Sequence, residues 1–199
     1  AAWLGFSYSL LQFIRHARSI VRSVQGLGSG ADVAASILGG VVAYRPQPLL
    51  AERLDYTYPL TLMYSGSKTP TTFAVQQVEN YFANYPKLFK SILSAVGQCA
   101  HQGISAIRSQ NSVALGQLMN IQHGLMDALG VNTPVLQSIV ETLRAEPNLL
   151  GAKISGSGLG DCAVALGAIP ESSLSHFSAC GVQQIPIAIT TQGVHYEKI

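Results

Sequence analysis

The stretch from Ala152 to Leu166 constrains this chain more than any other. Lys153-Ile154-Ser155-Gly156-Ser157-Gly158-Leu159-Gly160-Asp161-Cys162 sets three glycines at alternate positions between two runs that read as strands, Ala152–Ser155 and Cys162–Leu166. The pattern is G-x-G-x-G, not the dinucleotide G-x-G-x-x-G, and no helix follows directly. Three glycines and two serines within six residues exceed what a hairpin turn needs. Successive backbone N–H groups in such a loop can form an anion-binding nest. A plain Gly-rich turn is the alternative.

The flanking sequence supplies the other elements. Leu4, Leu10, Leu11, Ile14, Ala17, Ile20 and Val24 recur at helical steps and stop at Gly26. Ala31 to Leu38 reads as a short helix ended by Gly39-Gly40. Val41–Tyr44, Arg53–Tyr58 and Leu60–Tyr64 read as strands, with Pro59 between the last two. Pro70 fits the start of a helix running to about residue 84, and helices follow over about 86–109, 112–129 and 133–145. Pro170 to Ala179 is a short helix, Ile185 to Thr190 a strand, and Val194 to Lys198 a final strand. From Pro59 onward the order is strand, helices, strand, strand, helix, strand. That is the α+β split motif βαββαβ, ferredoxin-like, with an enlarged first helical excursion. A boundary near Pro59 divides residues 1–58 from a domain over 59–199.

Composition excludes several classes. The 199 residues carry 12 Lys and Arg against 10 Asp and Glu, a net charge of +2, with no basic stripe for nucleic acid. Hydrophobic residues make up 48%, which excludes disorder as the dominant state. Charged residues are only 11%, against about 25% in an ordinary domain, which suits a well-packed enzyme domain or a piece that buries surface elsewhere. Ala1 to Ile14 is too short and too polar for a membrane span, and no basic segment precedes it as in a signal peptide. Cys99, Cys162 and Cys180 have no metal-ligand spacing and are odd in number; they read as reduced thiols of a cytoplasmic protein.

Two further segments carry chemistry. Gly28-Ser29-Gly30-Ala31-Asp32 places a carboxylate in the first turn of a helix behind glycines. Ser29 and Asp32 match a capping box, S-x-x-D. Alternatively, Asp32 is a functional carboxylate kept ionised by the helix dipole, with the glycines leaving room for a ligand. Ser65-Gly66-Ser67-Lys68-Thr69 is not a P-loop, because Ser67 stands where glycine is required. Lys68 at a helix start could still meet an anion. His123 with Asp127, and His195 with Glu197, make no convincing metal set. There is no G-x-S-x-G, and Cys162 has no recognisable base.

Together these segments resemble the GHMP small-molecule kinases. Gly28-Ser29-Gly30-Ala31-Asp32-Val33-Ala34-Ala35-Ser36, with Gly39-Gly40 and Tyr44, is similar to the block carrying the catalytic aspartate in the mevalonate branch. Leu150 through Leu166 is similar to the superfamily's third glycine motif. Tyr64-Ser65-Gly66-Ser67 with Thr71 or Thr72 resembles the strand-to-helix corner between them, and Leu129-Gly130-Val131 with Thr133-Pro134 fits the helical region. The order of these blocks spans almost the whole chain.

The resemblance implies in-line phosphoryl transfer from ATP, with Mg²⁺, to mevalonate or a mevalonate-type acceptor in isoprenoid precursor synthesis. It makes Asp32 the catalytic residue. Ser29, Gly30, Lys68 and Thr69 become substrate-binding residues, and Ser155, Gly156, Ser157, Gly158 and Gly160 the loop beside the phosphates. It places these groups, with the corner at 65–72, around one cleft. It implies no nucleic-acid or membrane partner and leaves a homodimer open. It further implies that residues 1–58 end an N-terminal kinase domain whose P-x-x-x-G-L-G-S-S-A loop, holding most ATP and Mg²⁺ contacts, is absent here, so the chain would be inactive alone. Two departures point toward phosphomevalonate kinase as the alternative. Val21 stands where mevalonate kinases carry a metal-binding Glu, eleven residues before Asp32. The third motif ends Gly160-Asp161-Cys162. A phosphorylated acceptor would call for a cation, with Lys68, Lys153 and Arg108 as candidates. A non-catalytic ferredoxin-like ligand-binding module is the reading of another class.

Overall fold

The computed structural model describes residues 8–179 and 181–195. The chain divides into two compact units. The first holds the described residues through Thr57 together with those from Ile189 onward, and the second runs from Tyr58 to Ala188.

The first unit opens with helix α1, Leu10–Gln25, and helix α2, Ala31–Leu38. Ser9 caps α1 reciprocally: its hydroxyl accepts from the Gln12 amide, and the Gln12 side chain accepts from the Ser9 amide at 2.8 Å. Gly26 ends the helix at a φ of 75°. Ile14 is fully buried against Ala34 and Ile37 of α2, with Val42 and Ala51 of the following hairpin packed around them. That hairpin joins β1, Val41–Pro46, to β2, Leu49–Leu54, with Pro46 paired to Leu49. The second strand therefore lies earlier than the Arg53–Tyr58 expected. The chain turns back at Gln47-Pro48, so the alternation in Arg53–Tyr58 falls at and beyond the strand's end.

The C-terminal segment completes this unit. Gly40 N donates to Thr190 O at 2.6 Å, Val194 N to Ser36 O at 2.9 Å, and the Arg53 guanidinium to Thr191 O at 2.9 Å. Backbone meets backbone here: a Cβ on Gly193 would lie 2.0 Å from Ile37 O, and one on Gly39 2.7 Å from Gln192 C. The expected final strand over 194–198 is not seen at Val194 and His195, and its remainder lies outside the described residues.

The second unit is built on a four-stranded sheet in the order β4-β5-β3-β6, every neighbour antiparallel. β3 is Leu60–Tyr64, β4 Ala152–Ser155, β5 Cys162–Leu166 and β6 Gln183–Ile185. Helices α3 (Thr71–Tyr81), α4 (Pro86–Arg108), α5 (Ser112–Ala128) and α6 (Pro134–Ala145) fill the first excursion, and α7 (Glu171–Ala179) the second. This is the α+β split βαββαβ arrangement read from the element order. β6 is shorter and earlier than the Ile185–Thr190 expected, because Pro186 has no N–H to give the ladder. Helix α6 buries Leu136, Ile139, Val140 and Leu143 at helical spacing; Ile139, Val140 and Leu143 pack with Met63, Ala152 and Ala163 of the sheet. Helix α5 approaches the start of β4 with no side chain between: a Cβ on Gly116 would sit 2.3 Å from Leu150 O.

Candidate active site

In the first unit, Ser29, Gly30 and Asp32 lie within one turn. Gly30, not Ser29, is the N-cap of α2, in a left-handed conformation at φ 84°. The Ser29 hydroxyl accepts only from Ala31 N, at 3.3 Å, and the helix has no side-chain cap. The capping box expected from S-x-x-D therefore does not form. With the left-handed Gly30 as N-cap, Ser29 reaches only the first amide of the helix, Ala31 N, and none further along the turn. Asp32 is exposed in that turn.

The glycines here are needed for close packing. A Cβ on Gly30 would lie 2.8 Å from Cγ of Arg18 and 3.0 Å from the Tyr44 hydroxyl. Tyr44 donates to Ser29 O and so ties the loop to β1. Arg18 donates to Pro46 O at 3.3 Å. Sequence reasoning noted Tyr44 only as part of the block and missed Arg18, since neither contact is local.

In the second unit, Lys68, Thr69 and the glycine loop do come together. Ser65 N donates to Asp161 O at 2.8 Å, and Asp161 N to Ser67 O at 2.7 Å. The Thr69 hydroxyl donates to Leu159 O at 2.6 Å, so it holds the loop's backbone. A Cβ on Gly160 would meet the Ser67 hydroxyl at 2.9 Å. On the other side, Leu159 N donates to Val131 O at 2.7 Å, and a Cβ on Gly158 would lie 2.5 Å from that oxygen.

Between those two clamps the loop runs through positive φ at Gly156, Gly158, Leu159, Gly160 and Asp161. Leu159 and Asp161 hold this conformation without being glycine, which the two flanking hydrogen bonds enforce. Among the described residues, no protein carbonyl accepts from the amides of Ser157 or Gly160. A loop with unspent donors and a positive-φ backbone is suited to anion binding.

The charged groups around the loop differ in availability. Lys68 is exposed at the corner. Lys153 turns its ammonium onto Ile154 O at 2.6 Å, and burial lowers its pKa from the usual 10.5. Cys162 is buried, and its thiol is pushed up to about 11 by burial and by the neighbouring Asp161, with Lys68 opposing. It is a poor nucleophile, as the missing base partner suggested. Among the described residues, no group of three or more His, Cys, Asp or Glu side chains could hold a metal ion.

Comparison with known proteins fits this arrangement. The family described as GHMP kinases C terminal matches residues 104–173. The mevalonate kinase of Pyrococcus furiosus is 36% identical over 169 residues, covering 82% of this chain and 50% of its own length. That of Thermococcus onnurineus is 30% identical over 203 residues, covering 98% of this chain and 60% of its own. A crystal structure of L. major mevalonate kinase with R-mevalonate matches with a TM-score of 0.69 and 27% identity, over 87% of this chain and 54% of that one. Fold and sequence thus define a GHMP-type C-terminal domain. The chain belongs to the GHMP kinase superfamily, in its mevalonate kinase branch. It spans about half to three-fifths of the length of these curated relatives.

Proposed function

We propose that this chain serves ATP-dependent phosphoryl transfer to the hydroxyl of mevalonate or a closely similar acceptor, in the cytoplasm. The observation that carries the reading is Asp32: an exposed carboxylate in the first turn of α2, relieved of any capping role by Gly30. Its chain is 36% identical over 169 residues to a mevalonate kinase, which favours mevalonate over phosphomevalonate as acceptor.

Asp32 accepts and orients the acceptor hydroxyl. Phosphoryl transfer passes through a loose transition state that needs little nucleophilic push. A carboxylate that takes the proton late, after the bond to phosphorus has begun to form, is therefore sufficient. Ser29 and Gly30 shape the wall beside it. Among the loop residues, the amides of Ser157 and Gly160 meet phosphate oxygens, and Ser155, Gly156 and Gly158 carry the backbone through that turn. Lys68, exposed at the corner, neutralises charge on the substrates, while Thr69 keeps the loop in shape. The described residues do not themselves bring three or more His, Cys, Asp or Glu side chains together to hold Mg²⁺.

Asp32→Asn in the complete protein tests the reading. The substitution keeps shape and removes the proton acceptor, and turnover of ATP with mevalonate should fall about 10²–10⁴-fold. Unchanged turnover would overturn the assignment of Asp32.

A further inference from the structure

The turn between α5 and α6 is held by a half-buried chain of side-chain amides whose direction follows from its two exposed carboxylate ends. Glu141 accepts from the Gln137 amide nitrogen, and Asp127 accepts from the Asn132 amide nitrogen at 3.0 Å. A carboxylate can only accept, so both amides have a fixed orientation. The Gln137 oxygen then faces inward and accepts twice, from Asn132 at 2.6 Å and from His123 Nε2 at 3.1 Å. His123 is thereby the Nε2–H tautomer, 3% exposed. Asn132 directly follows Val131, the residue whose carbonyl receives Leu159 N and whose side chain fills the space over Gly158. Val131 itself is 2% exposed, packed with Phe82 and Leu129.

We propose that Asn132 and Gln137 are positioning residues for the glycine loop. They touch neither loop nor substrate. They fix the turn that presents Val131 O to Leu159 N, and so hold the amides of Ser157 and Gly160 in a set direction. Thr69 and Ser67 clamp the loop's opposite side through bonds independent of this turn. The functional consequence rests on the reading of the loop as a phosphate site; the mechanical consequence does not.

Amide-resolved hydrogen exchange and Mg-ATP titration of the complete protein, followed by NMR, test both parts. Asn132→Ala and Gln137→Met each remove one link, and either alone suffices if the other fails to fold. Exchange of the Leu159 amide should rise about tenfold or more in each, as a local opening. The Asp161 amide, held by Ser67 O, should keep its rate, as should the β4–β5 ladder. A uniform rise across all of these would mark a merely structural role and overturn the proposal, as would an unchanged Leu159 rate. In the parent chain, Mg-ATP should shift the Ser157 and Gly160 amides, and both variants should weaken that binding. Loop amides unmoved by Mg-ATP would overturn the phosphate reading. A shift that both variants leave at parental affinity would overturn the positioning role alone.

Discussion

His123 carries a second consequence of its surroundings. Its Nδ1 lone pair is buried with no hydrogen-bond partner among the described residues, while Arg144 of α6 and Lys153 of β4 contribute positive charge nearby. Burial chiefly lowers its pKa below the usual 6.5, with Arg144 and Lys153 adding to this and the Gln137 bond and Asp127 opposing. The unfolded chain therefore binds a proton at a pH where the folded chain does not. Stability from this residue is complete above the ordinary value and declines as pH falls through and below it. The denaturant midpoint should drop between about pH 7.5 and about pH 5. His123→Gln, which can still donate to Gln137, should flatten that part of the profile; an unchanged slope would show the titration lies elsewhere. Residue-level chemistry was legible in the sequence where it is contiguous, as at Asp32 and in the glycine loop. His123 read only as a weak metal candidate, because its partner Gln137 lies fourteen residues away across a helix turn.

Among the elements, helices were the most readable and strand limits the least. Helices α4, α5 and α6 each begin or end at a residue with its own signal: Pro86, Asn111, Thr133-Pro134 and Gly130. β2 and β6 shifted because a strand needs a partner in register, and local alternation does not say where pairing stops. Nor does alternation reveal the docking of α5 on the start of β4. Gly116 lies inside α5 with no local signal to mark it, yet its lack of a side chain sets the helix-to-sheet distance. Gly151 mirrors it, with a Cβ there falling 2.0 Å from Gly116 O. Gly116→Ala would improve helix propensity but force the backbones apart. Overpacking of this kind costs about 1–3 kcal/mol or more, outweighing the gain of about 1 kcal/mol in propensity. Chemical denaturation should register a net loss, and a stabilised variant would contradict the close approach.

At the scale of the molecule, the sequence suggested one division near Pro59 with 59–199 as a single domain, whereas the compact units part after Thr57 and again after Ala188. What no local pattern announced is that the chain comes back to the first unit. Residues from Ile189 onward belong with α2 and the β1–β2 hairpin through hydrogen bonds at Gly40, Ser36 and Arg53. Ending the chain after Ala188 should leave the second unit's β3–β5 amides protected. Exchange should accelerate at Gly40, whose amide loses Thr190 O as acceptor. Protection of Gly40 unaltered by the truncation would refute the tail's role. The same feature orders events on the ribosome. The segment that finishes the first unit leaves the exit tunnel only after the whole second unit has been made. The unit translated earliest therefore waits with its Ile37–Gly40 edge uncovered, and a stalled or clipped nascent chain exposes that edge to chaperones and proteases.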